Sequence, residues 1–172
     1  MKLDVGAGQN KREGFTGMDL FEGSDIVHDL MVFPWPIKDG EVEELHCSHV
    51  LEHIPGLERG KFMDEVYRVM AVGAKATFIV PAYNSSRAVQ DFTHVFPPVC
   101  ADSFWYFNKA WREVNKLTHG HYALKCDFDH QVTGTIGGGW AQRAYDAQVF
   151  ASTHYMNVTQ DIHAALIKRA PA

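Results

Sequence analysis

The feature that most constrains this chain is a change of period near its middle. From about Glu58 to Met70 the apolar residues Phe62, Val66, Val69 and Met70 recur at helical spacing, and Gly73 stands where a helix C-terminus favours a residue without Cβ. From Lys75 to Val80 the run Ala-Thr-Phe-Ile-Val reads as a buried strand, stopped by Pro81, which has no N–H to give to a ladder. A helix feeding a short apolar strand is the unit from which parallel sheets covered by helices are assembled.

The remaining pattern extends that unit in both directions. Lys2 to Val5, Thr16 to Leu20, Asp25 to Leu30 and Val42 to Ser48 read as four short strands. Between the last two, Phe33-Pro34-Trp35-Pro36 is irregular, because two prolines fix φ and remove donors, and Lys38-Asp39-Gly40 closes it as a turn. Further on, Ala101 to Leu117 reads as a helix, with Phe104, Phe107, Trp111 and Val114 on one face. Tyr122 to Phe128 alternates like a strand, and Asp161 to Lys168 reads as the last one. Residues 134–157, with Gly137-Gly138-Gly139 and a short helix around Trp140 to Phe150, are expected to form an insertion between the last two strands.

A chain of 172 residues suits a single domain spanning 1–172. Its 46% hydrophobic and 22% charged residues are ordinary for a soluble fold, and no apolar run approaches the roughly 20 residues that span a bilayer. Met1-Lys2 runs directly into a strand, without the pattern of a secretory signal. Cys47, Cys100 and Cys126 are odd in number and widely spaced, which fits reduced packing residues and a cytoplasmic location. The net charge of −5 is uneven: up to Gly56 there are 11 acids and 4 bases, and from Leu57 onward 10 acids and 12 bases. No dense Lys/Arg stripe of the kind that grips duplex phosphates is present.

In an open parallel sheet, ligands bind at the carboxyl ends of the strands, so the strand ends carry the functional reading. After the first strand, Asp4-Val5-Gly6-Ala7-Gly8 allows a tight turn and a close approach of backbone to a ligand. Asp19 closes the second strand, where a carboxylate can accept hydrogen bonds from both hydroxyls of a ribose. Asp29 closes the third and can accept from an adenine amine, with Leu30 packing on the ring. Singly, each of these is a common turn or surface residue; their succession is what points to one ligand.

This series resembles the class I S-adenosylmethionine (SAM)-dependent methyltransferases, and within them the small type 11 group. The likeness rests on Leu3 to Gly8, Gly17-Met18-Asp19, Asp29-Leu30, Ser48-His49-Val50-Leu51-Glu52-His53 and Val72 to Pro81, and extends to Asp91-Phe92-Thr93-His94, similar to an Asp-Pro-Thr-His segment of some members. It implies a Rossmann-like α/β fold, a mostly parallel sheet of about seven strands with an antiparallel last strand, flanked by helices. It also implies SAM as cofactor and S-adenosyl-L-homocysteine (SAH) as product. By position, Gly6, Ala7 and Gly8 would line the methionine part. Asp4 would either meet its ammonium group or cap the turn. Asp19 and Leu20 would lie at the ribose, Asp29 and Leu30 at the adenine, and Ser48 and His49 beside the sulfonium.

The chain departs from the pattern in three ways. Only Gln9 to Glu13 separates the glycine loop from the next strand, so the usual long helix is reduced to a turn or two and its dipole contributes less. No helices precede the first strand, which leaves any cover to 83–98 or to the C-terminal insertion. Phe92 replaces the proline of the Asp-Pro-Thr-His segment.

The acceptor is expected to be a small molecule or a sugar or glycan intermediate, with no strong nucleic-acid signal: Ser48-His49-Val50-Leu51 replaces the Asn/Asp-Pro-Pro-Tyr/Phe motif of DNA base methyltransferases. His53 and His94 are the candidate bases, with Asp91 and Tyr83 after them; each can equally serve its own loop. No metal set is read, since His119-Gly-His121, the close pair, lacks a carboxylate or thiol at ligand spacing. Two other readings stand beside catalysis: a non-catalytic member that binds SAM or a partner, and another α/β nucleotide binder. A dehydrogenase would show a third glycine where this chain has Asn10-Lys11.

Overall fold

The computed structural model describes residues 1–117 and 124–171. Seven strands form one sheet: β1 (Lys2–Val5), β2 (Thr16–Asp19), β3 (Ile26–Val27), β4 (Val42–Ser48), β5 (Met70–Pro81), β6 (Phe128–Ile136) and β7 (Thr159–Lys168), in the order β3-β2-β1-β4-β5-β7-β6. The first five run parallel, and β7 is antiparallel to both of its neighbours. The Rossmann-like expectation with a reversed last strand is met. Order reverses at β1, between β2 and β4, so the loops after those strands open on one crevice.

The helical period of the sequence becomes α1 (Arg59–Val69), whose Phe62, Met63, Val66 and Val69 are buried. They pack into a core with Leu3, Val5, Leu45, Cys47 and Phe78 from the inner strands. Each such side chain stabilises the fold by about 2 kcal/mol through the apolar area it removes from water. Trp35 closes one end of this core. Its ring meets Phe62 edge-on at 5.4 Å, its backbone N–H donates to Glu65 Oε1 at 2.6 Å, and its indole N–H donates to the Leu30 carbonyl. Cys47 and Cys126 are buried thiols that burial pushes to high pKa, so they pack rather than react.

Several boundaries differ from expectation, each for a local reason. Helix α1 passes directly into β5 at Met70, and Gly73 (φ +79°) lies inside that strand. Val42 pairs with Met70 and Glu44 with Lys75, so β5 bulges there and Gly73 supplies the left-handed residue. β3 shrinks from 25–30 to Ile26–Val27: on one side the Asp25 carboxylate reaches back to Gly17 N–H of β2, and on the other Asp29 closes a turn on Met31 N–H.

The helix expected over Ala101 to Leu117 is broken. A 3₁₀ segment covers Ala101–Phe107, and a short α2 (Lys109–Val114) starts afresh where Asn108 caps Trp111 N–H. The strand expected over Tyr122 to Phe128 is displaced. Residues 122–123 lie outside the described residues, Leu124 to Asp127 are not strand, and β6 runs from Phe128 to Ile136. The connection expected over 134–157 therefore starts later. It joins β6 to β7 through a 3₁₀ turn (Gly138–Gln142) and α3 (Tyr145–His154).

Candidate functional site

The loop after β1 is shaped by two glycines in left-handed conformations, Gly6 (φ +70°) and Gly8 (φ +52°). A Cβ on Gly6 would stand 2.2 Å from a methyl of Val50, so glycine there lets the β1 loop lie against the turn after β4. Asp19 secures the loop from β2: one carboxylate oxygen accepts from Gly8 N–H at 2.9 Å and the other from Phe21 N–H at 3.0 Å. Each oxygen can accept a second hydrogen bond, which leaves capacity for a ligand hydroxyl.

Asp4, buried in β1, accepts from Arg12 N–H at 2.8 Å through one of its two carboxylate oxygens. Arg12 in turn lies over the Phe15 ring, 5.3 Å from its centroid. No helix forms between Gly8 and β2, as the short spacing implies. Asp29 Oδ1 accepts from Met31 N–H, and the Leu30 carbonyl takes the Trp35 indole. Leu20 is largely exposed beside this crevice.

After β4 the backbone turns sharply at His49 (φ +56°), held by its N–H on the Ile79 carbonyl. His49 Nδ1 lies 3.0 Å from Glu52 Oε1, and this hydrogen bond raises the imidazole pKa against an opposing effect of burial. Glu52 is 4% exposed, and its second oxygen, Oε2, is buried without a hydrogen-bond partner among the described residues. A buried polar atom in that state costs about 1–3 kcal/mol unless something satisfies it.

Behind the turn, Arg59 is a buried clamp. Its Nε donates to the Leu51 and Ile54 carbonyls and its Nη atoms to those of Pro97 and Val95, while Val95 N–H donates to the Glu52 carbonyl. The segment 91–97 is thereby fastened to the turn after β4.

That fastening brings three of the sequence candidates together. The rings of His53 and His94 meet edge-to-face with centroids 4.7 Å apart. Thr93 Oγ1 donates to Asp91 Oδ1 at 2.7 Å and lies 3.1 Å from His53 Nδ1. The Thr93 hydroxyl and backbone N–H hold the Asp91 carboxyl below its ordinary pKa. Tyr83 is elsewhere. It lines an open cleft of about 550 Å³ at the ends of β5 and β6, with Asn84, Val132, Ile136, Tyr145 and Gln148 among its walls, and the lining contains no charged side chain.

Glu52, Thr93 and Arg59 were not among the sequence candidates. Glu52 and Thr93 each lie inside a motif of the resemblance, Glu52 three residues from His49 and Thr93 between Asp91 and His94, whereas Arg59 lies in none. Their meeting depends on contacts 36 to 40 residues apart in sequence, Arg59 to Val95 and Pro97 and Thr93 to His53.

Strand order, reversed β7 and glycine loop together decide the family of folds. This is a class I methyltransferase fold. Among solved structures, a SAM-dependent methyltransferase from Archaeoglobus fulgidus superposes with a TM-score of 0.68 at 16% identity, over 97% of this chain and 85% of that one. Phosphoethanolamine N-methyltransferase 2 of Haemonchus contortus, in complex with SAM, gives 0.56 at 12% identity, over 98% of this chain and 48% of that one. Geranyl diphosphate C-methyltransferase of Streptomyces coelicolor, in complex with Mg²⁺, geranyl diphosphate and SAH, gives 0.52 at 12% identity, over 97% of this chain and 72% of that one. No family model and no curated protein sequence matches the chain. Among the described residues, no helix of this methyltransferase-like fold is long and apolar enough to cross a membrane.

Proposed function

We propose that this protein transfers a methyl group from SAM to an uncharged small molecule or a sugar or glycan intermediate, as a single-domain enzyme of the type 11 kind. The observation that carries the reading is the joint geometry of Gly6, Gly8 and Asp19. A left-handed loop at the switch point of the sheet is pinned by the carboxylate that would meet a ribose. In this reading Gly6, Ala7 and Gly8 bound the methionine part. Asp19 and Leu20 face the ribose, Asp29 and Leu30 the adenine, and Ser48 and His49 the sulfonium. Asp4 caps Arg12 N–H and would meet the ammonium group of SAM directly or through water.

SAM is already activated, so the protein's task is to align the acceptor with the S–CH₃ bond and keep water away. The acceptor lone pair forms the new bond to carbon as the C–S bond breaks, and SAH leaves. The cleft beside Tyr83 supports an uncharged acceptor: its lining is largely apolar, with Asn84, Thr133 and Gln148 as polar groups for orientation, and it offers no cation to a phosphate. A hydroxyl acceptor also gives up a proton; the imidazoles of His53 and His94, near Asp91, are the candidate bases for an acceptor that extends beyond the Tyr83 cleft, which neither histidine lines.

Calorimetry with SAM, SAH and NAD tests the cofactor. Binding of SAM and SAH without NAD is expected, and NAD binding without SAM would overturn the reading. Asp19→Ala should weaken SAH binding by about 10- to 100-fold, through loss of ribose contacts and of the bond that shapes the loop. Acceptors are then screened by SAH release. Failure of every hydroxylated small molecule alongside intact SAM binding would move the assignment to a SAM-binding protein without catalysis.

A further inference from the structure

We infer that Glu52, His53 and His94 form a binding site for a divalent transition-metal ion, of which Zn²⁺ is the representative case. One carboxylate oxygen of Glu52 and one ring nitrogen from each histidine all lie within 4.8 Å of one another. A tetrahedral ion with bonds of about 2.1 Å holds its ligand atoms about 3.4 Å apart, so side-chain rotations close the remaining gap. The three residues come from two separate segments, brought together by the Arg59 clamp and the Val95–Glu52 hydrogen bond.

The hydrogen bonds around the histidines fix which nitrogens are available. The Thr93 hydroxyl has one hydrogen, and it goes to the Asp91 carboxylate at 2.7 Å. Its oxygen therefore accepts from His53, which places the proton of neutral His53 on Nδ1 and the lone pair on Nε2. His94 Nδ1 lies 3.1 Å from the Ala88 carbonyl, which can only accept, so His94 likewise keeps its lone pair on Nε2. Two histidines that each donate one ring N–H to a hydroxyl or carbonyl and present the other nitrogen have the outer support of metal-bound imidazoles.

The third ligand gives an independent indication. Glu52 is 4% exposed and its Oε2 is without a hydrogen-bond partner among the described residues, while Oε1 is taken by His49. A cation satisfies such an oxygen. Asp91 Oδ2, 4.0 Å from His94 Nε2, is the other carboxylate at the rim, and His53 opens the site to solvent. Two imidazoles and a carboxylate suit Zn²⁺ and its neighbours better than Mg²⁺, and three protein ligands leave a position for an exchangeable oxygen ligand.

A metal here would occupy the lone pairs that the proposed function gives to His53 and His94 as bases, so metal binding and that base role exclude each other, and the assignment is tested on metal alone. The 172-residue protein is stripped with EDTA and titrated with ZnCl₂ by calorimetry, and with CoCl₂ by visible absorption. One equivalent is expected, with a Co²⁺ spectrum of low coordination number and a raised Tm in Zn²⁺. His94→Gln and His53→Gln should weaken binding by more than about 100-fold, and Thr93→Val, which removes outer support, by about 10-fold. X-ray absorption of the wild-type Zn²⁺ complex should show two imidazoles, a readout independent of any variant's folding. Absence of stoichiometric binding, a spectrum without two imidazoles, or a folded His94→Gln variant that binds as the wild type does would overturn the assignment.

Discussion

On the side of β1 and β2 the crevice is built from backbone tied down at short range, whereas on the side of β5 and β6 it is built from side chains gathered at long range. Asp19 reaches Gly8 and Phe21, and Asp4 reaches Arg12, all within 11 residues. Across the sheet, Asn84 Nδ2 donates to the Ser152 carbonyl, and Asn157 (φ +62°) both donates to the Asn84 carbonyl and accepts from Ser86 N–H. The first region suits a cofactor of fixed shape. The second, with α3 and the exposed Tyr145, Phe150 and Met156, presents a surface whose neighbours along the chain place few constraints on it.

The sharpest break in this contrast comes from Gly6→Val. The left-handed φ and the 2.2 Å approach to Val50 both oppose a Cβ, so a loss of about 3 kcal/mol or more is expected, together with most SAH affinity. Thermal unfolding and calorimetry would check it; unchanged SAH binding would show that the loop is not the cofactor's wall.

Asn157→Ala should act on the other side alone. It removes a side-chain acceptor from Ser86 N–H and leaves alanine at positive φ, for a cost of about 1–2 kcal/mol with SAH affinity within twofold of wild type. Parallel loss of SAH binding would mean that the two regions are one cooperative unit.

The smallest effect is expected at Phe92, which is 97% exposed. Phe92→Ser should alter stability by less than about 0.5 kcal/mol in chemical denaturation, and a larger loss would reveal a contact made in solution.

The same contrast explains what could be read in advance. Strands β1, β2 and β4 and helix α1 carry their own period, and Asp19 follows from its position at a strand end. β6 is poorly legible in the sequence because it lies at the sheet edge with one neighbour and carries Gly134, so alternation is clearer in the segment just before it. The break at Asn108 combines a local cap, its Oδ1 accepting from Trp111 N–H, with a tertiary bond that leaves no mark in sequence, its side-chain amide donating to the Phe128 carbonyl. His53 and His94 were visible as candidates, but their meeting depends on Arg59, whose partners are carbonyls and therefore leave no mark in sequence.

That clamp bears on how such a protein could diversify. Four carbonyls from two segments share one guanidinium, so neither segment can be replaced alone without stranding buried donors. Residues 50–59 and 91–98 are therefore coupled, whereas the β6–β7 connection lies outside the clamp and is tied instead to the loop after β5 through Ser152 and Asn157. New specificities would then be acquired by recombining or lengthening that connection together with the loop it is tied to, with the turn after β4 and its partner segment inherited as a linked cassette.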